Sequence, residues 1–447
     1  MIHKIRSLRS HSVFRYGAAS ALPRGLAILT TLVITPLGIE RLGALDYGLW
    51  VLATQIPALI VSPDLGLGNG IVSEMSGIHR REGGLASQRR RLVGLMKVLA
   101  VVAAIWLGVG LLAAGLYARY STPDDSTMWR LLAAFAVCLA SFTAGIPATV
   151  TARAQLAQEQ GHRAVLWEGV GKAATLITSV AVLSLAPTLV GLVLASVLPT
   201  TVAAWINAHM YLRRLSVAPS PKKAPTLHEA YRDNRRVFGL GKHFVLLQVC
   251  YLVGTGLDPY IINGLSSTRD VTFASVVRRP YDMLPLIVTM YTAALWPVFA
   301  RLQAEQRYRR VRRLVVGMSL AGAGIVAAAG LAVMFFRQEL YGFLGQGQVF
   351  PTASDLGWVT LHVSASVAVL VVTVYLNAIS AVRPQVYILI PGTIALLVVK
   401  VVALGVGDIH DYFAAAALGY ILLSGGPISV LALTQLRNKR LAPGAAS

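Results

Sequence analysis

The sequence predicts an all-α membrane protein: twelve transmembrane helices in two six-helix bundles around a central cavity, with both termini cytoplasmic. Three observations predict it. The 447 residues are 55% apolar and only 13% charged, against roughly 25% charged in a soluble domain. The apolar residues fall in long runs, each near the roughly 20 residues that a helix needs to cross a bilayer. The basic residues alternate between the loops of the two sides.

The predicted spans cover 16–38, 47–74, 92–118, 130–152, 164–186, 188–211, 243–263, 271–298, 314–336, 353–379, 386–407 and 412–435. The basic N-terminus followed by apolar chain has the outline of a signal peptide. Its apolar stretch is too long, carries Arg24 and lacks a clear small-residue cleavage site, so it reads as an uncleaved first span. With these spans, 29 of the 40 Lys and Arg residues fall in one set of alternate loops, five in the other set and six within spans. That asymmetry places the termini on the positive, cytoplasmic side. It also accounts for the net charge of +21 without a nucleic-acid partner, because the positive residues are not set in a soluble fold. No external loop has room for a catalytic domain, and Cys138 and Cys250, both within spans, read as packing residues.

The chain divides into an N-terminal bundle (1–212), a basic cytoplasmic linker (213–242) and a C-terminal bundle (243–447). The linker holds APSPKKAP and then TLHEAYRDNRR, where Thr226 and Glu229 have capping-box spacing for a short amphipathic helix. The turn before span two and the turn before span eight echo one another weakly, as expected of parallel repeats.

The stretch from Leu22 to Gly70 organises the rest. It is two apolar spans joined by a polar turn, Glu40 to Asp46. The first carries Pro23-Arg24 and the second Pro63-Asp64 followed by LGLGNG. A charge at membrane depth costs about 2.5–3.5 kcal/mol on insertion scales, so such residues usually face a bundle interior or a water-filled cavity. The six basic residues within spans are Arg24, Lys97, Lys172, Arg278, Arg279 and Lys400. Lys97 is near a span end and can snorkel. The deep acids are Asp64, Glu168, Asp258 and Asp282.

Glu168 and Lys172, four apart, share a helix face and can neutralise one another. Asp282 is four residues after Arg278 and three after Arg279, so another pair can form, although Pro280 intervenes. Asp258, before Pro259, reads equally as a helix-end residue. Even with every acid paired, basic charge remains, and arginine is suited to phosphate through paired, charge-assisted hydrogen bonds. The bland alternative is that these arginines bond carbonyls freed by Pro23 and Pro280. Arg24, Lys172, Arg278, Arg279 and Lys400 are therefore the candidate substrate-binding residues, and Asp64, Glu168 and Asp282 the candidates for coupling to an ion. The histidines have no metal-ligand spacing, there is no nucleotide-binding lysine motif, and no cofactor is called for.

Arg24-Gly25, the turn LGALDYGLW, Asp64-Leu-Gly-Leu-Gly and the span FASVVRRPYDMLPLIVTMYTAALWPVFARL resemble the polysaccharide transporters of the multidrug/oligosaccharidyl-lipid/polysaccharide exporter superfamily. The resemblance implies a Wzx-type flippase of a bacterial inner membrane, carrying an undecaprenyl-diphosphate-linked oligosaccharide for O-antigen or exopolysaccharide. On it, Arg24 and Arg278 match cavity arginines that contact the diphosphate; the doubled Arg279 followed by Pro280 is a departure. Lipid surroundings and polymerase and chain-length machinery are the implied partners. A count of twelve spans, against the fourteen of lipid II flippases, argues against a peptidoglycan role. The competing readings are a cation or drug antiporter of the same superfamily, which would favour acids in its cavity, and a membrane-embedded polymerase or ligase, which would need an external catalytic loop.

Overall fold

A computed structural model describes residues 2–59, 84–122, 124–158, 160–215, 226, 227, 229, 246, 247, 249–285, 288, 295, 298, 299, 301–303, 305–379 and 381–441. The described elements are helical, and they fall into two compact units, Met1–Val245 and Leu246–Ser447.

The first unit contains α1 (Ile2–Leu59), α2 (Gly84–Ser121), α3 (Asp125–Gly145), α4 (Thr149–Ala157), α5 (Gly161–Leu185) and α6 (Leu189–Leu215). The second contains α7 (Asp258–Leu265), α8 (Thr268–Asp282), α9 (Tyr308–Phe335), α10 (Arg337–Gly345), α11 (Ala353–Ala378), α12 (Val382–Val406), α13 (Ile409–Gly419) and α14 (Gly426–Leu441). Nine helical stretches among the described residues are long and apolar enough to cross a membrane. That differs from the twelve spans predicted, for identifiable reasons. The first span and the described part of the second, 47–59, run together in α1, where a single residue interrupts the helix, and the rest of the second lies outside the described residues. Spans seven and eight are represented by the shorter α7 and α8, and parts of both lie outside the described residues.

The interruption in α1 is Gly43, at φ 80° and ψ 166°, inside the predicted turn. The residues of LGALDYGLW fix the chain on its far side. Asp46 pairs with Arg130 of α3. Tyr47 is fully buried and its hydroxyl meets Thr35 Oγ1 at 3.2 Å, back across the break. Trp50 Nε1 donates to Ser196 Oγ of α6 at 3.0 Å. Gly38 leaves room for the Tyr47 ring, since a Cβ there would lie 3.0 Å from Tyr47 Cδ2. The motif thus pins both arms of the hairpin to the first unit.

Helix ends follow their local chemistry. Asp124 caps α3, accepting from the Thr127 N–H at 2.9 Å, which satisfies an orphan donor of the first turn. The Ser126 hydroxyl and then the Thr127 N–H hold the Asp124 carboxyl down at about 2. Thr352 and Asp355 form a capping box on α11, and Asp408 and Asp411 form another on α13. Pro147 sits in the 3-10 turn Ile146–Ala148 that joins α3 to α4.

Leu92, Leu95, Leu99, Ile146 and Val150 centre the core of the first unit, and Phe299, Val311, Val371, Tyr375 and Ile428 that of the second. Cys138 and Cys250 are buried and free. Most of the basic linker is outside the described residues. The capping box predicted within it is present: Thr226 N–H donates to Glu229 Oε2 at 3.0 Å, and Glu229 N–H to Thr226 Oγ1 at 3.3 Å.

Candidate functional site

Lys400, Asp258, Arg278 and Asp282 form a charge ladder inside the second unit. Its geometry starts from a bulge. Leu252–Gly256 is a π-helical turn that ends at Leu257, the residue before α7, and Pro259 follows Asp258 in the first turn of α7. A π turn shifts the hydrogen-bond register and leaves carbonyls to find other donors. The Gly254 carbonyl accepts from Lys400 Nζ at 2.6 Å.

The same amine lies 2.7 Å from Asp258 Oδ1. Asp258 Oδ2 faces Arg278 Nη1 at 3.6 Å, and Arg278 Nη2 faces Asp282 Oδ1 at 3.7 Å. Signs alternate along the ladder, and exposure rises along it: the side chains of Lys400, Asp258, Arg278 and Asp282 are 0, 7, 30 and 50% exposed. The Tyr412 ring lies 5.8 Å from the Lys400 amine. His362 is buried nearby, with Nδ1 3.1 Å from the Ala416 carbonyl.

α8 holds Arg278 in place despite Pro280, which lies inside the helix. The Tyr341 hydroxyl donates to the Val277 carbonyl at 2.8 Å and ties α8 to α10. Tyr281 is buried, with its hydroxyl 3.3 Å from the Leu356 carbonyl of α11. The four-residue relation of Arg278 to Asp282 therefore survives the proline.

In the first unit Arg24 lies partly buried in α1, and Lys172 partly buried in α5. The close approach of these helices sets their level. Gly169 packs against Leu22 and Pro23, where a Cβ would meet Leu22 Cδ2 at 2.9 Å. Glu168 and Lys172 flank that glycine on α5, and Arg24 follows Pro23 on α1. Among the described residues none of these three has an ion-pair partner.

Several expectations change. Glu168 and Lys172 do not pair: Glu168 is exposed. Lys400 is enclosed and spends two of its three donors on Gly254 and Asp258, so it does not present a free ammonium. Arg278 carries carboxylates on both sides, so the second unit offers less unneutralised charge than the sequence implied. Arg279 is partly buried beside it and has contacts of its own. Asp64 lies outside the described residues.

Asp258 is the residue that sequence reasoning undervalues, because its partners Arg278 and Lys400 are distant in the chain. The only hint is an acid at membrane depth in a half rich in deep bases. Among the described residues no group of His, Cys, Asp and Glu is arranged to hold a metal ion.

The helical spans and the buried charge ladder define a multi-pass membrane protein, and comparison with solved structures gives its fold. A multidrug resistance MATE family transporter of the MOP superfamily, in an inward-facing conformation, superposes with a TM-score of 0.73 at 13% identity, covering 96% of this chain and 100% of that one. The lipid II flippase MurJ, in an inward closed conformation, gives 0.67 at 10% identity, covering 97% and 93%. A MOP superfamily transporter from Pyrococcus furiosus, described as having a binding pocket of reversed polarity, gives 0.65 at 13% identity, covering 96% of each chain. At these identities the likeness establishes a MOP-type transporter fold. The chain belongs to the polysaccharide biosynthesis protein family, whose profile matches residues 18–303. No curated protein sequence matches it.

Proposed function

We propose that the protein is a flippase, not an enzyme, that moves undecaprenyl-diphosphate-linked oligosaccharide units across a bacterial inner membrane by alternating access. Family membership supports a role in polysaccharide assembly, and the fold supports transport. The observation that carries the anionic cargo is Arg24: a guanidinium in an apolar helix, with no carboxylate partner among the described residues. At about 2.5–3.5 kcal/mol per charge, such a residue is retained for something that neutralises it. Lys172 at the same level adds a second positive charge.

Arg278 serves the same cargo from the second unit. Its two ion pairs, at 3.6 and 3.7 Å, are longer than the roughly 2.7–2.9 Å of a charge-assisted hydrogen bond. A diphosphate oxygen at full hydrogen-bond distance competes well against them. Lys400 acts by positioning Asp258, and Arg279 stands as a second contact beside Arg278. Asp282, the more exposed of the two carboxylates that hold Arg278, is the candidate coupling group, because neutralising it would leave Arg278 held by Asp258 alone; Asp64 and Glu168 are the candidates in the first unit.

The finer arrangement belongs to the same proposal: twelve spans in two bundles, both termini cytoplasmic, and a linker at 213–242. O-antigen or exopolysaccharide units are the cargo, passed to polymerase and chain-length machinery. A cation antiporter is the alternative that the fold allows. The basic residues disfavour it, because a cation would meet Arg24 and Lys172 without a paired acid.

The test is deletion of the gene followed by leaflet-resolved analysis of lipid-linked sugars. Accumulation of a polyprenyl-diphosphate oligosaccharide on the cytoplasmic leaflet is expected, and complementation by wild type but not by Arg24→Ala. Unchanged surface polysaccharide with altered drug accumulation would overturn the proposal in favour of the antiporter.

A further inference from the structure

We propose that a groove between α5 and α6 holds the headgroup of an anionic phospholipid. It is a cavity of 230 Å³ in the first unit, lined by residues of α4, α5 and α6. Its lining includes neither Arg24 nor any residue of the charge ladder. Arg163 and Arg214 both line it, and among the described residues no Asp or Glu does. Arg163 lies near the start of α5 and Arg214 near the end of α6, so the two guanidinium groups stand at the same end of an antiparallel pair. Both are exposed. Arg163 Nη1 donates to the neutral Gln160 Oε1 at 3.2 Å, and Arg214 has no ion-pair partner among the described residues.

The polar side chains that line the inner wall, Gln155, Asn207 and Tyr211, already have partners. Gln155 and Asn207 exchange amide hydrogen bonds at 2.8 and 3.2 Å. The Tyr211 hydroxyl donates to Gln158 at 2.8 Å and accepts from Gln88 at 3.0 Å. These lining groups are engaged with other side chains and make no hydrogen bond to either arginine among the described residues, which leaves the two positive charges for a ligand.

Shape selects lipid over a free anion. Beyond the arginines the groove is bordered by Leu166, Val170 and Met210, all exposed. Val170 lies two turns past Arg163, about 10 Å along the helix at 1.5 Å per residue. A phosphate at the arginines therefore has an apolar track leading into the bilayer, where acyl chains belong. Trp167, one turn past Arg163, lines it too, near the predicted start of span five, and span ends are where indole rings anchor. Basic pockets between transmembrane helices are known to take anionic headgroups. The inference needs only the membrane reading, not the proposed cargo.

The test uses full-length protein in phosphatidylcholine vesicles doped with phosphatidylglycerol, one or the other lipid carrying brominated chains that quench tryptophan emission. The chain has seven tryptophans, so Trp167→Phe identifies the relevant component. Brominated phosphatidylglycerol should quench that component preferentially. In R163Q/R214Q the preference should fall about thirtyfold, from about 1 kcal/mol per arginine. The charge-keeping R163K/R214K should retain most of it, which separates lost charge from lost fold. Equal quenching by both lipids, loss in the lysine variant, or displacement of phosphatidylglycerol by inorganic diphosphate would each overturn the proposal.

Discussion

The Lys400 amine and the Asp258 carboxylate meet 2.7 Å apart across 142 residues of chain, at a point where the amine is wholly enclosed. Two opposite charges in such a place stand or fall together. Without Asp258 the Lys400 amine has no carboxylate among the described residues, and without Lys400 the Asp258 carboxylate keeps only the longer 3.6 Å contact to Arg278, and an unpaired ion without water is far costlier than a lost contact. Removing one partner should therefore cost about 3–5 kcal/mol of stability, and removing both should cost less. Lys400→Met and Asp258→Asn should each lower the thermal midpoint of the detergent-solubilised protein sharply, with the double variant above both. A double variant that simply sums the two losses would show that the pair is not coupled.

Arg278 is the next step outward on the same ladder, more exposed and more loosely held. Arg278→Ala removes two long ion pairs, so its stability cost should stay near the roughly 0–1 kcal/mol of a solvated pair. Export should fall about tenfold or more, and a tenfold fall corresponds to about 1.4 kcal/mol of lost interaction. Arg278→Lys should recover only part of it, since one ammonium cannot reproduce a two-pronged contact with phosphate. Surface polysaccharide per folded transporter is the quantity to measure.

Arg24→Ala separates function from folding more cleanly. Arg24 loses no carboxylate partner among the described residues, so stability should change by no more than about 0.5 kcal/mol while export is lost. The two readouts, melting and leaflet distribution of the lipid-linked sugar, are independent. A variant that melts early and exports normally would reassign Arg24 to a structural role.

Much of this was legible in the sequence because its causes are local. The ends of α5, α11 and α12 lie within a few residues of the runs of apolar chain, and Gly43 falls inside the turn marked by polar residues. The capping box at Thr226 needed only a three-residue spacing. The Arg278–Asp282 relation needed only a helical turn. What could not be read was long-range: nothing near Asp258 names Lys400, and nothing near Glu168 says that its side chain leaves Lys172 and turns outward. The π turn at Leu252–Gly256 is similarly invisible, since its glycines serve equally well for close helix packing.

Gly392 illustrates such a hidden constraint. It packs against the π turn Tyr420–Gly425, where a Cβ would run into the Leu423 carbonyl oxygen, a backbone atom that cannot rotate away. Gly392→Ala should destabilise the protein by more than the roughly 1–3 kcal/mol of ordinary overpacking. Gly38→Ala, which meets only the Tyr47 ring at 3.0 Å, should fall within that range. Side-by-side thermal midpoints of the two variants rank the costs.

Gly43 offers the opposite case, a glycine with nothing around it. No heavy atom lies within 4 Å of where its Cβ would be, yet its backbone sits at φ 80° and ψ 166°. That region is essentially closed to residues with a Cβ, and holding one there costs about 1–3 kcal/mol. Asparagine offers no relief, because its tolerance is for the left-handed helical region near ψ of about +47°, not for an extended ψ. Gly43→Ala and Gly43→Asn should thus destabilise alike, and both should loosen the contacts that Tyr47 and Trp50 make beyond the break. Gly108 in α2 is the control: it too has open space around it but helical backbone, so Gly108→Ala should stabilise by about 0.5–1 kcal/mol. Opposite shifts in thermal midpoint at the two sites are the expected result. Equal shifts would mean that surroundings, rather than backbone angle, decide what position 43 accepts.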